Sequence, residues 1–561
     1  MASFAGSPLL YSVQLQIKAH FVEMGDTDAH AAPSLLQLPP EILLNILSQV
    51  ASPSSPSAIQ PVLYVCKQLY QVALPLSVRT YRNIESIGNP GFGRLLSRTP
   101  NALFLRYILI TKPELAGHVK QLTLGCFSVH PNYPGLRKEE VEVYRGLIQE
   151  EASLSHIEGF KDYCLSLEAD LLEGSVEAEV AVMLLTCKRL QIVCLEDPDD
   201  PEQLEHLFQI LRKSHPLGEA EPHHALPLSC LTEFYHESQD EKFGYTGFSS
   251  LGALALTLPR LRSYECVMAN GGDGSADDFL AISRRSSPVE EILLRKSCVT
   301  AETFESIVGA CKALKVLEYT RGVYHMYDRE LMPRDLLNTT LPHAKTLEHL
   351  HVNFEDDWDK GSWVDEPEKI YMGVELQKMT QLKRLVVGMQ PLTGLLARQP
   401  EEIFNAELPL EIEGAPKMAQ CLPDSLVHLE IHGCGSAILG QVQDLLHLIE
   451  TGARFQNLKR LRLLFNAEDI SAGEIRLSCS SPRLTLETVL ETKDNRTYNL
   501  APSYYPPDHS MIISNICSRI FSEKLREQWL NIRGTGLGSA TANSGLYEAP
   551  GLKIAAQLLL P

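Results

Sequence analysis

A short theme, leucine, two residues, leucine, one residue, then another apolar residue, returns along most of this 561-residue chain. It reads Val119–Leu124, Leu190–Leu195, Val289–Leu294, Leu314–Tyr319, Leu347–Val352, Leu382–Val387, Leu426–Ile431 and Leu458–Leu463, with broken copies at Leu231–Phe234 and Leu261–Tyr264. Each copy closes on an alternation of period two, the mark of a short strand with one buried face. Helix-like stretches lie between copies. Pro201–Leu211 sets Leu204, Leu207, Phe208 and Leu211 on one face, and Ala301–Ala310 and Gln441–Ile449 behave similarly. No strand–helix unit of this size buries its apolar side alone, so recurrence implies units stacked into a solenoid. The interval drifts from roughly 25 to 45 residues, and insertions at Phe354–Glu368 and Pro391–Pro416 account for part of the drift. An ordinary α/β domain with parallel strands is the alternative architecture.

Ahead of the repeats stand two apolar helical stretches. In Leu38–Val50, Pro39 and Pro40 suit a first helical turn and Glu41 complements its positive end. Ile42, Ile46 and Val50 recur every fourth residue beside Leu43 and Leu47. Pro53 and Pro56 stop that helix. The second stretch sets Val62, Val65, Cys66, Leu69 and Ala73 on a shared face and is expected to end at Pro75. So small a module needs a partner, either the rest of its own chain or another protein.

The string Leu38-Pro-Pro-Glu-Ile-Leu-Leu-Asn-Ile-Leu47, followed by Val65-Cys-Lys-Gln-Leu-Tyr70, resembles an F-box of the kind common in filamentous fungi. The repeats behind it resemble an irregular leucine-rich repeat, looser than the usual 20–29-residue unit. The resemblances imply an α+β or α/β repeat protein: a small N-terminal helical F-box, then an irregular leucine-rich-repeat-like solenoid of short parallel strands and helices. The expected boundaries are a mobile segment at 1–33, the F-box-like module at 34–85, a linker or helical cap at 86–117, the solenoid at 118–533 and a mobile tail at 534–561.

An F-box implies the substrate-recognition subunit of an SCF-type ubiquitin ligase, working by proximity rather than by its own chemistry. Its partners would be a Skp-type adaptor with its cullin scaffold and an unknown target protein. Leu38, Pro39, Ile42, Leu43, Ile46, Leu47, Val65, Cys66 and Leu69 would contact or support the adaptor. In a leucine-rich solenoid the residues between the leucines line the concave face, among them Glu291, Arg295, Glu318, His349, His351 and Glu430. Arg384, Arg460 and Arg462, with His428 and His432, would form a target-binding end suited to acidic or phosphorylated segments. The bland reading of the same arginines is pairing with local carboxylates. A repeat scaffold without any ubiquitin-ligase role is the alternative function.

Composition is that of a folded chain. It is 44% apolar and 21% charged, with a formal net charge of −20, which disfavours a nucleic-acid partner. The 13 cysteines include no C-x-x-C pair and fit a reducing, cytoplasmic or nuclear location. No apolar run approaches a membrane span, and none of the common catalytic signatures appears. Gly534–Gly538 lacks the context of a phosphate loop, so no cofactor is expected. His349 and His351 share a strand face near Glu355 and Asp356, a pattern read as exposed strand residues rather than a metal site.

Overall fold

A computed structural model describes residues 38–491 except 52–55, 84–98, 125–134, 150–153, 197–201, 215–225, 238–247, 272–278, 280–281, 323–330, 355–365, 396–411, 413, 467–469 and 471–474. The segments expected to be mobile, most of both insertions, and Gly534–Gly538 lie outside these residues. The chain divides into two compact units. One comprises Met1–Asn83, Thr99–Thr123 and Ala501–Pro561, the other Ile84–Arg98 and Leu124–Leu500.

In the first unit, helix α1 (Pro40–Val50) starts on the two prolines and closes with the Ala51 N–H donating to the Leu47 carbonyl at 2.8 Å. A 3₁₀ stretch (Pro56–Tyr64) follows, then α2 (Lys67–Ser77). The expected continuous second helix is broken, because Cys66 is extended at φ −162° and ψ 166°. Helical spacing therefore does not carry across Val65 and Cys66. Val62, Leu69 and Ala73 reach the module's core while Val65 does not. Pro75 sits in the last turn of α2, which runs on to Ser77, so the helix forgoes one i→i−4 hydrogen bond there and stops two residues later. Strand β1 (Thr80–Asn83), α3 (Pro100–Arg106), a π turn (Tyr107–Thr111), a 3₁₀ turn (Pro113–His118) and β2 (Gln121–Leu124) follow. Asn101 Oδ1 accepts hydrogen bonds from Tyr81 and Asn83, both at 2.9 Å, and the Tyr81 and Phe104 rings stack.

The second unit begins with three helices, α4 (Lys138–Gln149), α5 (Phe160–Glu173) and α6 (Val176–Thr186). Helix α6 is buried along nearly its whole length, including Glu177, whose carboxylate accepts the Leu204 N–H at 2.6 Å. Alternation then takes over: β3 (Ile192–Glu196), α7 (Glu202–Ser214), β4 (Glu233–Glu237), α8 (Phe248–Thr257), β5 (Ser263–Val267), β6 (Glu291–Val299), α9 (Ala301–Ala310), β7 (Val316–Arg321) and α10 (Pro333–Thr340). It continues through β8 (His349–Asn353), β9 (Arg384–Gly388), the short α11 (Met389–Thr393) and α12 (Met418–Cys421), β10 (His428–Cys434), α13 (Leu439–Glu450), β11 (Arg460–Asn466) and β12 (Thr485–Glu491). From β3 to β12 every strand pairs in parallel with the next in chain order, the arrangement of an α/β solenoid. The broken copies at Leu231 and Leu261 lead into full strands, β4 and β5.

One row of the sheet is Phe234, Tyr264, Ile292, Leu317, Leu350, Leu385, Leu429 and Leu461, each 0–1% exposed. Two residues along, a second row from His236 to Leu463 is equally buried, and its Tyr319 meets Phe304 of α9 edge-on. These rows pack under the helices. Within the second unit His343 stitches one repeat to the next: its Nδ1 accepts the Leu314 N–H at 3.3 Å while its Nε2 donates to the Val308 carbonyl at 3.0 Å. That arrangement needs a neutral ring, and burial lowers its pKa accordingly. Among the described residues no helix is long and apolar enough to cross a membrane.

Candidate functional site

Two surfaces carry the residues singled out from the sequence. The first lies on the helical module. Leu43 and Leu47 turn inward with Leu38, Ala51, Ile59, Val62, Leu69 and Ala73 to form a small core, with Ile46 and Cys66 half-buried against it. Outside remain Pro39, Ile42 (38% exposed) and Val65 (52%), joined by Leu44 and Tyr64, which the every-fourth-residue pattern does not single out. Of the residues expected to meet or support an adaptor, Leu38, Leu43, Leu47 and Leu69 are thus interior, and Pro39, Ile42 and Val65 are at the surface.

The second surface is the sheet face opposite the buried rows, made by the first, third and fifth residues of each strand. Arg384, His428 and Arg460 are in register on β9, β10 and β11, and Arg462 is in register with Glu430. Glu430 is the hub: His432 lies 2.9 Å away, Arg462 3.3 Å, and His428 3.6 Å at ion-pair distance. Arg460 pairs with Glu487 of β12 at 2.8 Å. Burial pushes the Glu430 carboxyl up, but its two histidines and Arg462 outweigh that and hold it well below the usual carboxylate range. All five expected target-binding residues therefore share one face, and Arg460 and Arg462 are engaged by local carboxylates.

A second network sits on β5–β8. Arg295 is held between Glu265 at 2.6 Å and Glu318 at 2.8 Å, and His351 approaches Glu318 at 3.4 Å. Burial pushes Glu318 up, yet Arg295 and His351 hold its carboxyl far below the ordinary range. Glu265 is different. Burial lifts it to about 7, only partly opposed by Arg295. Arg295 and His432 each precede a positive-φ residue, Lys296 (φ 47°) and Gly433 (φ 61°), where the pairing register slips. These bulges bend the strand end beside the Arg295 and His432 side chains.

Glu233 and Glu237 of β4 and Glu265 of β5 were not legible as site residues. The apolar theme is degenerate there, and the visible signal is only the i, i+2 spacing of Glu233, Tyr235 and Glu237. Among the described residues no group of three or more His, Cys, Asp or Glu is placed to hold a metal ion. No protein-family model matches this chain, and a search of curated proteins finds no match either. The fold and its surfaces define a class, a parallel α/β solenoid with a small helical module and a charged sheet face.

Proposed function

We propose that the chain is a substrate receptor of an SCF-type ubiquitin ligase, with the helical module docking on a Skp-type adaptor and the sheet face holding a target protein. The observation that carries this reading is the module's division of labour. Among the described residues eight buried side chains form the core, too small a core to waste apolar groups, yet Ile42, Leu44, Tyr64 and Val65 stay 38–57% exposed. Apolar groups left outside so small a core are the kind that an obligate partner covers. The likeness of Leu38–Leu47 and Val65–Tyr70 to an F-box names that partner as the adaptor.

Co-expression with a Skp-type adaptor and size-exclusion chromatography test the reading. Ile42→Asp/Val65→Asp is the informative variant, since both residues are exposed and the module keeps its core. Leu47→Asp would instead unfold it, as Leu47 is 1% exposed. A stoichiometric complex lost in the surface variant supports the receptor. A folded wild-type chain that ignores the adaptor leaves a repeat scaffold with no ubiquitin-ligase role.

A further inference from the structure

We propose that β12, the last strand of the sheet, pairs antiparallel with the β12 of a second copy of this chain, giving a closed dimer with its two-fold axis at Thr488. This interface goes beyond the receptor reading and stands without it.

β12 ends the strand order, and among the described residues no strand lies beyond it. It runs in register with β11 from Thr485 opposite Arg460 to Glu491 opposite Asn466. The Thr485 N–H donates to the Lys459 carbonyl at 2.8 Å, so in this parallel ladder Thr485, Glu487, Val489 and Glu491 turn their backbone groups toward β11. Leu486, Thr488 and Leu490 turn theirs the other way, out from the edge. Side-chain burial stops at the same line. Leu461, Leu463 and Phe465 of β11 are fully buried, whereas their register partners Leu486 and Leu490 are half-buried and Thr488 is exposed. Among the described residues no helix follows α13 to cover them.

Folded proteins blunt exposed edges with proline, lysine, a bulge or a very short strand. β12 uses none of these: it is seven residues long, carries neither Pro nor Lys, and keeps register throughout, unlike the bulged β6 and β10. Its charges, Glu487 and Glu491, lie on the face in register with Arg462 and Asn466. Glu487 is answered within its own chain by Arg460 at 2.8 Å and Arg462 at 3.8 Å.

The string Thr485-Leu-Glu-Thr-Val-Leu-Glu491 selects the occupant. Laid antiparallel on its copy about Thr488, it sets Leu486 opposite Leu490, Glu487 opposite Val489, Thr485 opposite Glu491 and Thr488 opposite itself. No carboxylate faces a carboxylate, leucine meets leucine, and the axial pair is Thr–Thr, a favourable cross-strand combination. The adjacent registers that keep the same faces together place Glu487 opposite itself or opposite Glu491, so like charge rejects them. In the accepted register the residues with outward backbone groups are the ones that become hydrogen-bonded pairs, each exchanging two bonds. Both edges are consumed, so assembly stops at two copies.

Sedimentation equilibrium of the full chain tests the proposal. At micromolar concentration the mass is expected to approach twice the 62.4 kDa of one chain. Thr488→Pro removes an outward N–H and spares the β11 ladder, so the dimer Kd is expected to rise at least about tenfold with thermal melting unchanged. Thr488→Cys and Thr485→Cys read the register at two exposed positions. Mild oxidation is expected to link copies at position 488, where facing Cα atoms lie about 5.5 Å apart, and not at 485, where they lie roughly 20 Å apart. Peptide mapping by mass spectrometry distinguishes these links from any made by the native cysteines. A monomer at every concentration would overturn the proposal and leave the edge to a different strand. So would a dimer indifferent to Thr488→Pro, a species larger than a dimer, or linkage at 485 as ready as at 488. Should Thr488→Pro lower the melting temperature, the two cysteine variants decide alone.

Discussion

The helical module and the solenoid bury leucines by opposite strategies. In the solenoid, two rows run through strand after strand, so each buried residue leans on an equivalent neighbour in the next unit. Among the described residues the module's core cluster holds eight buried side chains, without repetition. Redundancy makes the first tolerant of irregular spacing and leaves its other face free for charge. Scarcity makes the second dependent on every core side chain, and on whatever covers the apolar groups it leaves outside. Apolar side chains are therefore interior support in one region, while in the other some of them, such as Ile42 and Val65, stay exposed.

The sharpest way to break this contrast is to charge a row. Leu385→Asp, at a fully buried site between Leu350 and Leu429, should cost at least about 4 kcal/mol and abolish the main cooperative melt. Leu47→Ala should cost about 2–5 kcal/mol. In a core this small that is enough to lose the module, so adaptor binding should vanish while the solenoid's thermal transition stays put. His343→Ala should cost about 1–3 kcal/mol, because it leaves the Leu314 N–H and Val308 carbonyl unpaired in the interior. The native His343 resists protonation, so this stability is present above the ordinary histidine range and falls as pH drops through it. Denaturant melts at pH 8 and pH 5 would check both statements.

Glu233→Gln should stabilise the chain on the order of 1 kcal/mol at pH 8 and have little effect at pH 4.5. Its folded pKa is raised to about 7, so the stability its proton confers is complete below the ordinary carboxylate range and is lost as pH rises through about 7. Glu318 and Glu430 run the other way, since their lowered values make acid, not base, remove their contribution. Smallest in stability is Ile42→Asp/Val65→Asp, expected within about 0.5 kcal/mol at exposed sites. A much larger loss, read by thermal melting of the isolated chain, would show these residues to be core and dissolve the distinction between the two regions.

Much of this was readable in one dimension. The spacing of leucines announced parallel strands from Leu314 to Leu463, and prolines marked the start of α1. It failed where rhythm failed. Glu233–Glu237 and Ser263–Val267 are full strands behind degenerate copies, and α6, buried on every side, has no apolar stripe to detect. The break at Cys66 was hidden for another reason: a one-residue extended kink leaves composition untouched but shifts which side chains share a face.

By itself the sequence determined the strand–helix alternation and which face of each strand is apolar, because period-two patterning is local and backbone pleating converts it directly into sidedness. It also determined that Arg384, Arg460 and Arg462 would fall on the same face. Only the tertiary structure decided their partners. Glu430 meets Arg462 and the histidines, and Arg295 lies between Glu265 and Glu318, because parallel register brings residues some 20–40 positions apart to adjacent strands about 4.8 Å apart. Charge pairing depends on distance in space, and intervening insertions of unequal length erase that distance from the linear chain.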